Sequence, residues 1–148
     1  MDIFEALIEN HEIQRKLCRQ MKADKKLEQK KKTYEALYLE LVAHAAGEER
    51  HLYLPVMQYE NGLELGRHAI AEHHEMDELL DVLSDGRTGE ERWLSTAEQL
   101  VETVEHHLEE EEEKFFVDAR KLLPKEQADR LGPLYQTEYE EFKAKESK

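Results

Sequence analysis

A histidine and a glutamate four residues apart lie inside an apolar helical stripe, and the chain contains this arrangement twice. In one copy Leu37, Leu41, His44, Glu48 and Leu52 recur at helical spacing; in the other Trp93, Ala97, Leu100, Val104, His107, Glu111 and Phe115 do so. A 3.6-residue repeat of apolar side chains marks the face a helix buries, so each His–Glu pair is predicted to be buried with it. Burying an ionisable pair costs free energy unless it is satisfied by a partner. A hydrogen-bonded core pair is the competing reading for either copy alone. The two copies agree further, however. Each is followed by a second acid, Glu49 or Glu112, and then by an apolar-aromatic pair, Leu52-Tyr53 or Phe115-Phe116. Side chains at i and i+4 project the same way from successive turns and can hold one metal ion or edge onto two, and the repeated pattern argues for that use.

Two more helices supply inward histidines. Phe4, Leu7, Ile8, His11, Cys18 and Met21 form the stripe of a first helix, expected from about Asp2 to about Lys22. Ala69, Ile70, His73, Met76, Leu80 and Leu83 form that of a third, while His74 shares its face with Arg67, Asp77, Glu78 and Asp81 and is read as outward. His106 falls with Gln99, Glu102, Glu110 and Glu113 on the wet side of the last long helix; His68 lies too far round its helix to join His73, and His51 falls loosely on the inner side. Lys22–Asp24, Asn61-Gly62 and Gly86–Gly89 separate the stripes, with Thr88-Gly89-Glu90-Glu91 read as a capping box. Ala45, Ala46 and Gly47 are small enough for close helix approach.

The fold expected is all-α: an up-down-up-down four-helix bundle over about 2–123, with a short C-terminal helical extension over about 124–143 built on Leu131, Leu134, Tyr135 and Phe142 and bent at Gly132-Pro133. Residues 143–148 read as a frayed end. A length of 148 residues suits one domain spanning 1–148. A formal charge of −14 argues against a nucleic-acid surface. The single cysteine excludes an internal disulfide and a thiolate metal cluster, and no stretch reads as a signal peptide or membrane span. A cytoplasmic protein with no membrane and no nucleic-acid partner is expected.

His11 precedes His44 by 33 residues and His73 precedes His107 by 34, so the chain reads as a doubled helix pair. Four imidazoles and two carboxylates without thiolate suit two first-row transition ions bridged by the glutamates, iron or manganese in preference to others. Acid is expected to weaken such a site as the imidazoles protonate below roughly pH 6.5.

These residues resemble the hemerythrin-like, or HHE cation-binding, domains from His11 to about Leu123. His44-Ala-Ala-Gly-Glu48-Glu49 through Leu52-Tyr53-Leu-Pro55 is similar to the family's second-helix signature, Glu72-His73-His74-Glu75-Met76 to its third, and His107 through Glu111-Glu112 to Phe115-Phe116 to its fourth. The resemblance implies a four-helix bundle holding a non-haem diiron centre, with manganese or zinc as other candidate metals, and His11, His44, Glu48, His73, His107 and Glu111 as ligands. It also brings two departures. Oxygen-carrying hemerythrins have a further histidine one turn before the inward histidine of the third helix, where this chain has Ala69. Their fourth-helix carboxylate is an aspartate five residues after the histidine, where this chain has Glu112; the stripe favours Glu111 and side-chain length leaves Glu112 open. A missing ligand leaves a position for water, oxygen or nitric oxide, which disfavours a simple oxygen carrier. Sensing or binding of oxygen or nitric oxide, and iron handling, are then expected of a non-enzymatic metalloprotein; the alternative is an oxidoreductase or iron-centre repair protein acting on oxygen or nitric oxide species.

Overall fold

The computed structural model describes residues 1–146, and among them there is helix but no strand. Five long helices dominate: α1 (Ile3–Ala23), α2 (Leu27–Glu48), α4 (Leu63–Ser84), α5 (Glu90–Glu110) and α7 (Lys125–Glu146). Two short ones, α3 (Leu54–Met57) and α6 (Phe116–Leu122), continue α2 and α5 across π-helical turns at Glu49–Tyr53 and Glu111–Phe115. The chain is thus helical almost without a break over 27–57 and again over 90–122. α1 packs on α2, α5 and α7, α2 on α7, and α4 on α5.

The local causes are legible. Asp2 caps α1: its Oδ1 accepts from the Glu5 backbone N–H at 2.8 Å while Glu5 Oε1 accepts from that of Asp2 at 3.0 Å. At α5 the expected capping box does not form. Gly89 is the N-cap, and the Thr88 hydroxyl turns back to donate to the Val82 carbonyl at 2.7 Å, closing the α4–α5 turn. Gly62 ends the α3–α4 connection because a Cβ there would lie 1.9 Å from the Val56 carbonyl oxygen.

The C-terminal helix is not the short addition expected. α7 spans 22 residues and passes through Pro133, as long as α2 or α4. Its stripe of Ala128, Leu131, Tyr135 and Tyr139 is buried against α1 and α2. Helix also extends through Lys143 to Glu146, where a frayed end was expected; Lys143 Nζ donates to Glu40 Oε1 at 2.5 Å. Ser147 and Lys148, the rest of that expected end, lie outside the described residues.

Two apolar clusters fill the interior. One gathers Ile3, Phe4, Leu7, Leu52, Tyr53, Phe115, Phe116 and the α7 stripe; the other gathers Cys18, Met21, Tyr34, Leu37, Leu80, Trp93, Leu100 and Val104. Between them, on α1, α2, α4, α5 and the π-helical turn that follows α5, lie His11, His44, Glu48, His73, His107 and Glu111, all buried. No helix among the described residues is long and apolar enough to cross a membrane.

Candidate metal centre

The six side chains meet as two overlapping groups. His11, His44, Glu48 and Glu111 each offer a donor atom within 4.8 Å of the others, and so do Glu48, His73, His107 and Glu111. Both carboxylates belong to both groups. Glu111 sets Oε1 3.1 Å from His11 Nε2 and Oε2 3.6 Å from His107 Nε2, one oxygen toward each group. Glu48 Oε1 lies 3.4 Å from His44 Nε2 and 3.2 Å from His73 Nε2.

The π turns shape this arrangement. In a π turn the backbone bond reaches five residues back, as Leu54 N–H to the Glu49 carbonyl and Phe116 N–H to the Glu111 carbonyl do here. The wider turn lets residues five apart share a face. Glu48 and Tyr53 therefore both point inward, with Tyr53 Oη 2.8 Å from Glu48 Oε1, 2.5 Å from Glu111 Oε2 and 3.2 Å from His73 Nε2. A regular α-helix would swing Tyr53 some 140° away from Glu48.

Three of the four histidines are hydrogen-bonded from behind, and the fourth has a carboxylate nearby. Nδ1 of His11 meets Glu112 Oε2 at 2.6 Å, Nδ1 of His44 meets the Tyr135 hydroxyl at 2.8 Å, and Nδ1 of His73 meets Glu49 Oε1 at 3.1 Å. Glu72 Oε1 lies 3.4 Å from His107 Nδ1. All four rings thereby turn Nε2 toward the shared carboxylates, the orientation that metal-ligating histidines take from outer carboxylate or hydroxyl partners. The second acid of each motif copy has a role distinct from the first: Glu49 and Glu112 orient histidines on other helices, while Glu48 and Glu111 face the centre. Arg15 Nη1 holds Glu112 Oε2 at 3.0 Å.

Burial alone would push the imidazoles of His11, His73 and His107 toward the neutral form, yet the carboxylates outweigh it. Glu111 and Glu112 raise His11 to about 9. Glu48 and Glu49 raise His73 to about 10, and Glu72 with Glu111 raises His107. Burial likewise opposes ionising Glu48, but His44 and His73 hold its carboxyl well below the usual range. Glu112, against desolvation, is held at about 2 by His11 and Arg15. Burial and the two facing carboxylates push the Tyr53 phenol far up, so it stays protonated.

The donor set fits a cation. Among the described residues, the buried side-chain polar atoms without a hydrogen-bond partner are His11 Nε2, His44 Nε2, Glu48 Oε2, His107 Nδ1 and Nε2, Glu111 Oε1 and Gln14 Nε2. Such atoms are costly to bury, by about 1–3 kcal/mol each. Here all but Gln14 belong to the six converging residues, and their Nε2 and Oε atoms crowd together without hydrogen-bonding geometry, as lone pairs sharing a common target would.

The profile of the hemerythrin HHE cation binding domain matches residues 2–119. The chain belongs to that family. No curated protein and no solved structure matches it. As an HHE domain it is built to bind cations, and its two buried His/Glu groups could hold them.

All six residues expected from the sequence are brought together. His74 is exposed, His106 projects outward to Glu110 at 3.1 Å, and His51 turns to Glu138 at 3.1 Å, away from the centre. His68 lies at the surface near Glu72 and Glu110. Ala69 lines a cleft of about 220 Å³ whose other walls include Glu72, Glu111, Lys114 and Phe115. The sequence reading did not assign Tyr53, Tyr135, Gln14 or Asn10, whose Oδ1 accepts from the Tyr135 hydroxyl. Gln14 and Asn10 had a signal, since both are polar residues on the buried face of α1; Tyr135 had none, because nothing local places α7 against His44.

Gly47 makes room for that tyrosine. A Cβ at Gly47 would come within 2.8 Å of the Tyr135 ring. Gly47→Ala is expected to destabilise the metal-free protein by about 1–3 kcal/mol through this overpacking. Thermal unfolding checks it; an unchanged melting temperature would mean that the ring moves aside freely.

Proposed function

We propose that the protein is a non-haem diiron metalloprotein that binds a small exogenous ligand, oxygen or nitric oxide, at the buried centre, acting in the cytoplasm as a sensor or iron handler. The observation that carries this reading is the sharing of Glu48 and Glu111 by two His-pair groups, a donor set for two ions held side by side. His11 and His44 would hold one, His73 and His107 the other, with α1, α2, α4 and α5 forming an up-down-up-down bundle around them. The mix of imidazole and carboxylate without thiolate suits iron first and manganese or zinc next.

Iron held there supplies a redox-active centre with affinity for oxygen and nitric oxide. The residues around it divide the remaining work. Glu112, Tyr135, Glu49 and Glu72 fix the imidazole rings. Glu48 and Glu111 set the separation of the two groups. Tyr53 keeps its proton between the carboxylates. Ala69, too short to donate, would leave one metal with a position that no protein side chain fills, and it lines the cleft beside α4 and α5. Sites that bind or react keep such a vacancy, whereas closed sites are structural.

Metal analysis and the absorption spectrum of protein loaded anaerobically with ferrous iron test the reading. His73→Ala and His107→Ala are expected to lower metal content sharply, whereas His74→Ala and His106→Ala leave it at the wild-type level. The reverse pattern would overturn the assignment. Turnover of oxygen, peroxide or nitric oxide by the loaded protein would favour an oxidoreductase over a binding protein.

A further inference from the structure

Among the described residues, one buried side-chain polar atom without a hydrogen-bond partner lies outside the ligand set. Gln14 follows His11 by one helical turn on α1, is 1% exposed, and its Nε2 has no hydrogen-bond partner. The residue lines a small pocket of about 20 Å³ with His44, His73 and His107, the remaining wall made by Leu41, Ala45, Met76, Leu80 and, at the exposed rim, Asp77. A volume of this order holds one water-sized occupant.

The wall joins histidines of both donor groups, since His44 belongs to one group and His73 and His107 to the other. An occupant of the pocket therefore borders residues of both groups. Leu41, Met76 and Leu80 offer such a guest no hydrogen bond, and the one carboxylate on the wall, Asp77, can only accept, while an amide N–H buried without an acceptor is costly. The two facts complement each other: the donor lacks an acceptor, and the cavity is sized for a molecule of one or two heavy atoms carrying a lone pair.

We propose that this cavity is the binding position of the exogenous ligand, a hydrogen-bond acceptor of one or two heavy atoms such as hydroxide or nitric oxide, and that Gln14 Nε2 donates the hydrogen bond that holds it. The inference rests on the metal-centre reading above and places the guest on the side of the centre lined by Gln14, Met76 and Leu80 rather than at the cleft beside Ala69. Gln14 touches the ligand and stands outside the donor set, so its replacement is expected to leave metal uptake unchanged.

The experiment uses full-length protein loaded with ferrous iron and nitric oxide as the probe. Iron content, melting temperature, the nitric oxide dissociation rate and the N–O stretch in H2O and D2O are recorded for wild type, Gln14→Leu, Gln14→Met and Ala69→Leu. Gln14→Leu is expected to release nitric oxide roughly tenfold faster, at unchanged iron content, and to lose the D2O shift present in wild type. Gln14→Met, which keeps the side-chain length and removes the amide donor without adding a charge, serves if the leucine variant fails to fold, and is also expected to speed release. Dissociation rates within twofold of wild type in the folded Gln14 variants, or a wild-type stretch indifferent to D2O, would overturn the inference. So would Ala69→Leu abolishing nitric oxide binding while both Gln14 variants retain it unchanged. Wild-type protein that takes up no iron would overturn the diiron reading itself and this inference with it; iron uptake with binding independent of Gln14 overturns this inference alone.

Discussion

Glu48→Gln is expected to empty both halves of the centre at once. Glu48 faces both groups, with His44 and His73 each within 3.4 Å of its Oε1. An amide removes one of the two buried negative charges that draw a cation in, so iron content is expected to fall from about two per chain to nearly none, and the shift in melting temperature on adding iron to vanish. His11→Ala gives the contrast. It touches one group only, so about one ion per chain is expected to remain. Elemental analysis of the two variants reads the difference directly. Glu48→Gln protein that retains two ions would show that the shared carboxylate is not what couples the groups.

Metal-free and metal-loaded protein are expected to answer pH in opposite senses. In the metal-free chain the positive charge near Glu48 and Glu111 comes from protonated imidazoles, raised to about 9 at His11 and about 10 at His73. A raised pKa adds stability that is complete below the unfolded histidine value of about 6.5 and is lost as pH climbs through 9 to 10. The depressed carboxyls run the other way. Glu48 and Glu112, the latter at about 2, add stability that is complete above their ordinary value near 4.5 and is lost as pH falls toward 2. The metal-free protein should be most stable between about pH 4.5 and 6.5 and weaken steadily above that window.

Metal ions instead need neutral imidazoles, so binding must displace those protons, and affinity rises with pH across the range where the metal-free fold weakens. The expectation from the unperturbed histidine value, that proton competition is confined below about pH 6.5, is revised upward by the facing carboxylates. At a thousandfold excess of free metal over Kd the gain is about 4 kcal/mol, and a domain of this size gains roughly 2–4 °C per kcal/mol. A rise of roughly 8–16 °C in melting temperature at pH 8, shrinking markedly at pH 6, is expected from thermal unfolding with and without ferrous iron. No rise at saturating iron, or a rise larger at pH 6 than at pH 8, would contradict it.

Most of the inner face was readable from spacing alone. Leu37, Leu41, His44 and Glu48, and Trp93 through Glu111, are buried on the turns their 3.6-residue repeat predicts, because one face of a long helix either packs or it does not. The repeat also separated His73 from His74 and His107 from His106, since neighbouring residues on a helix point about 100° apart. Spacing failed where the helix itself changes geometry. The π turns at Glu49–Tyr53 and Glu111–Phe115 put residues five apart on one face, so Tyr53 enters the centre from a position that a regular helix would turn away.

By itself, then, the order of residues determined which side chains each helix hides, and hence that four histidines and two glutamates had to be buried and had to be satisfied together. What surrounds them was decided only in three dimensions. Glu112 reaches His11 across 101 positions of chain, Tyr135 reaches His44 across 91, and Glu72 comes alongside His107. Such pairings depend on which helices touch and at what height, and burial patterns along one helix carry no information about its neighbours. The choice between Glu111 and Glu112 was of the same kind: both side chains are long enough, and the packing of α1 against α5 sends Glu111 to the shared position and leaves Glu112 to hold His11 from behind.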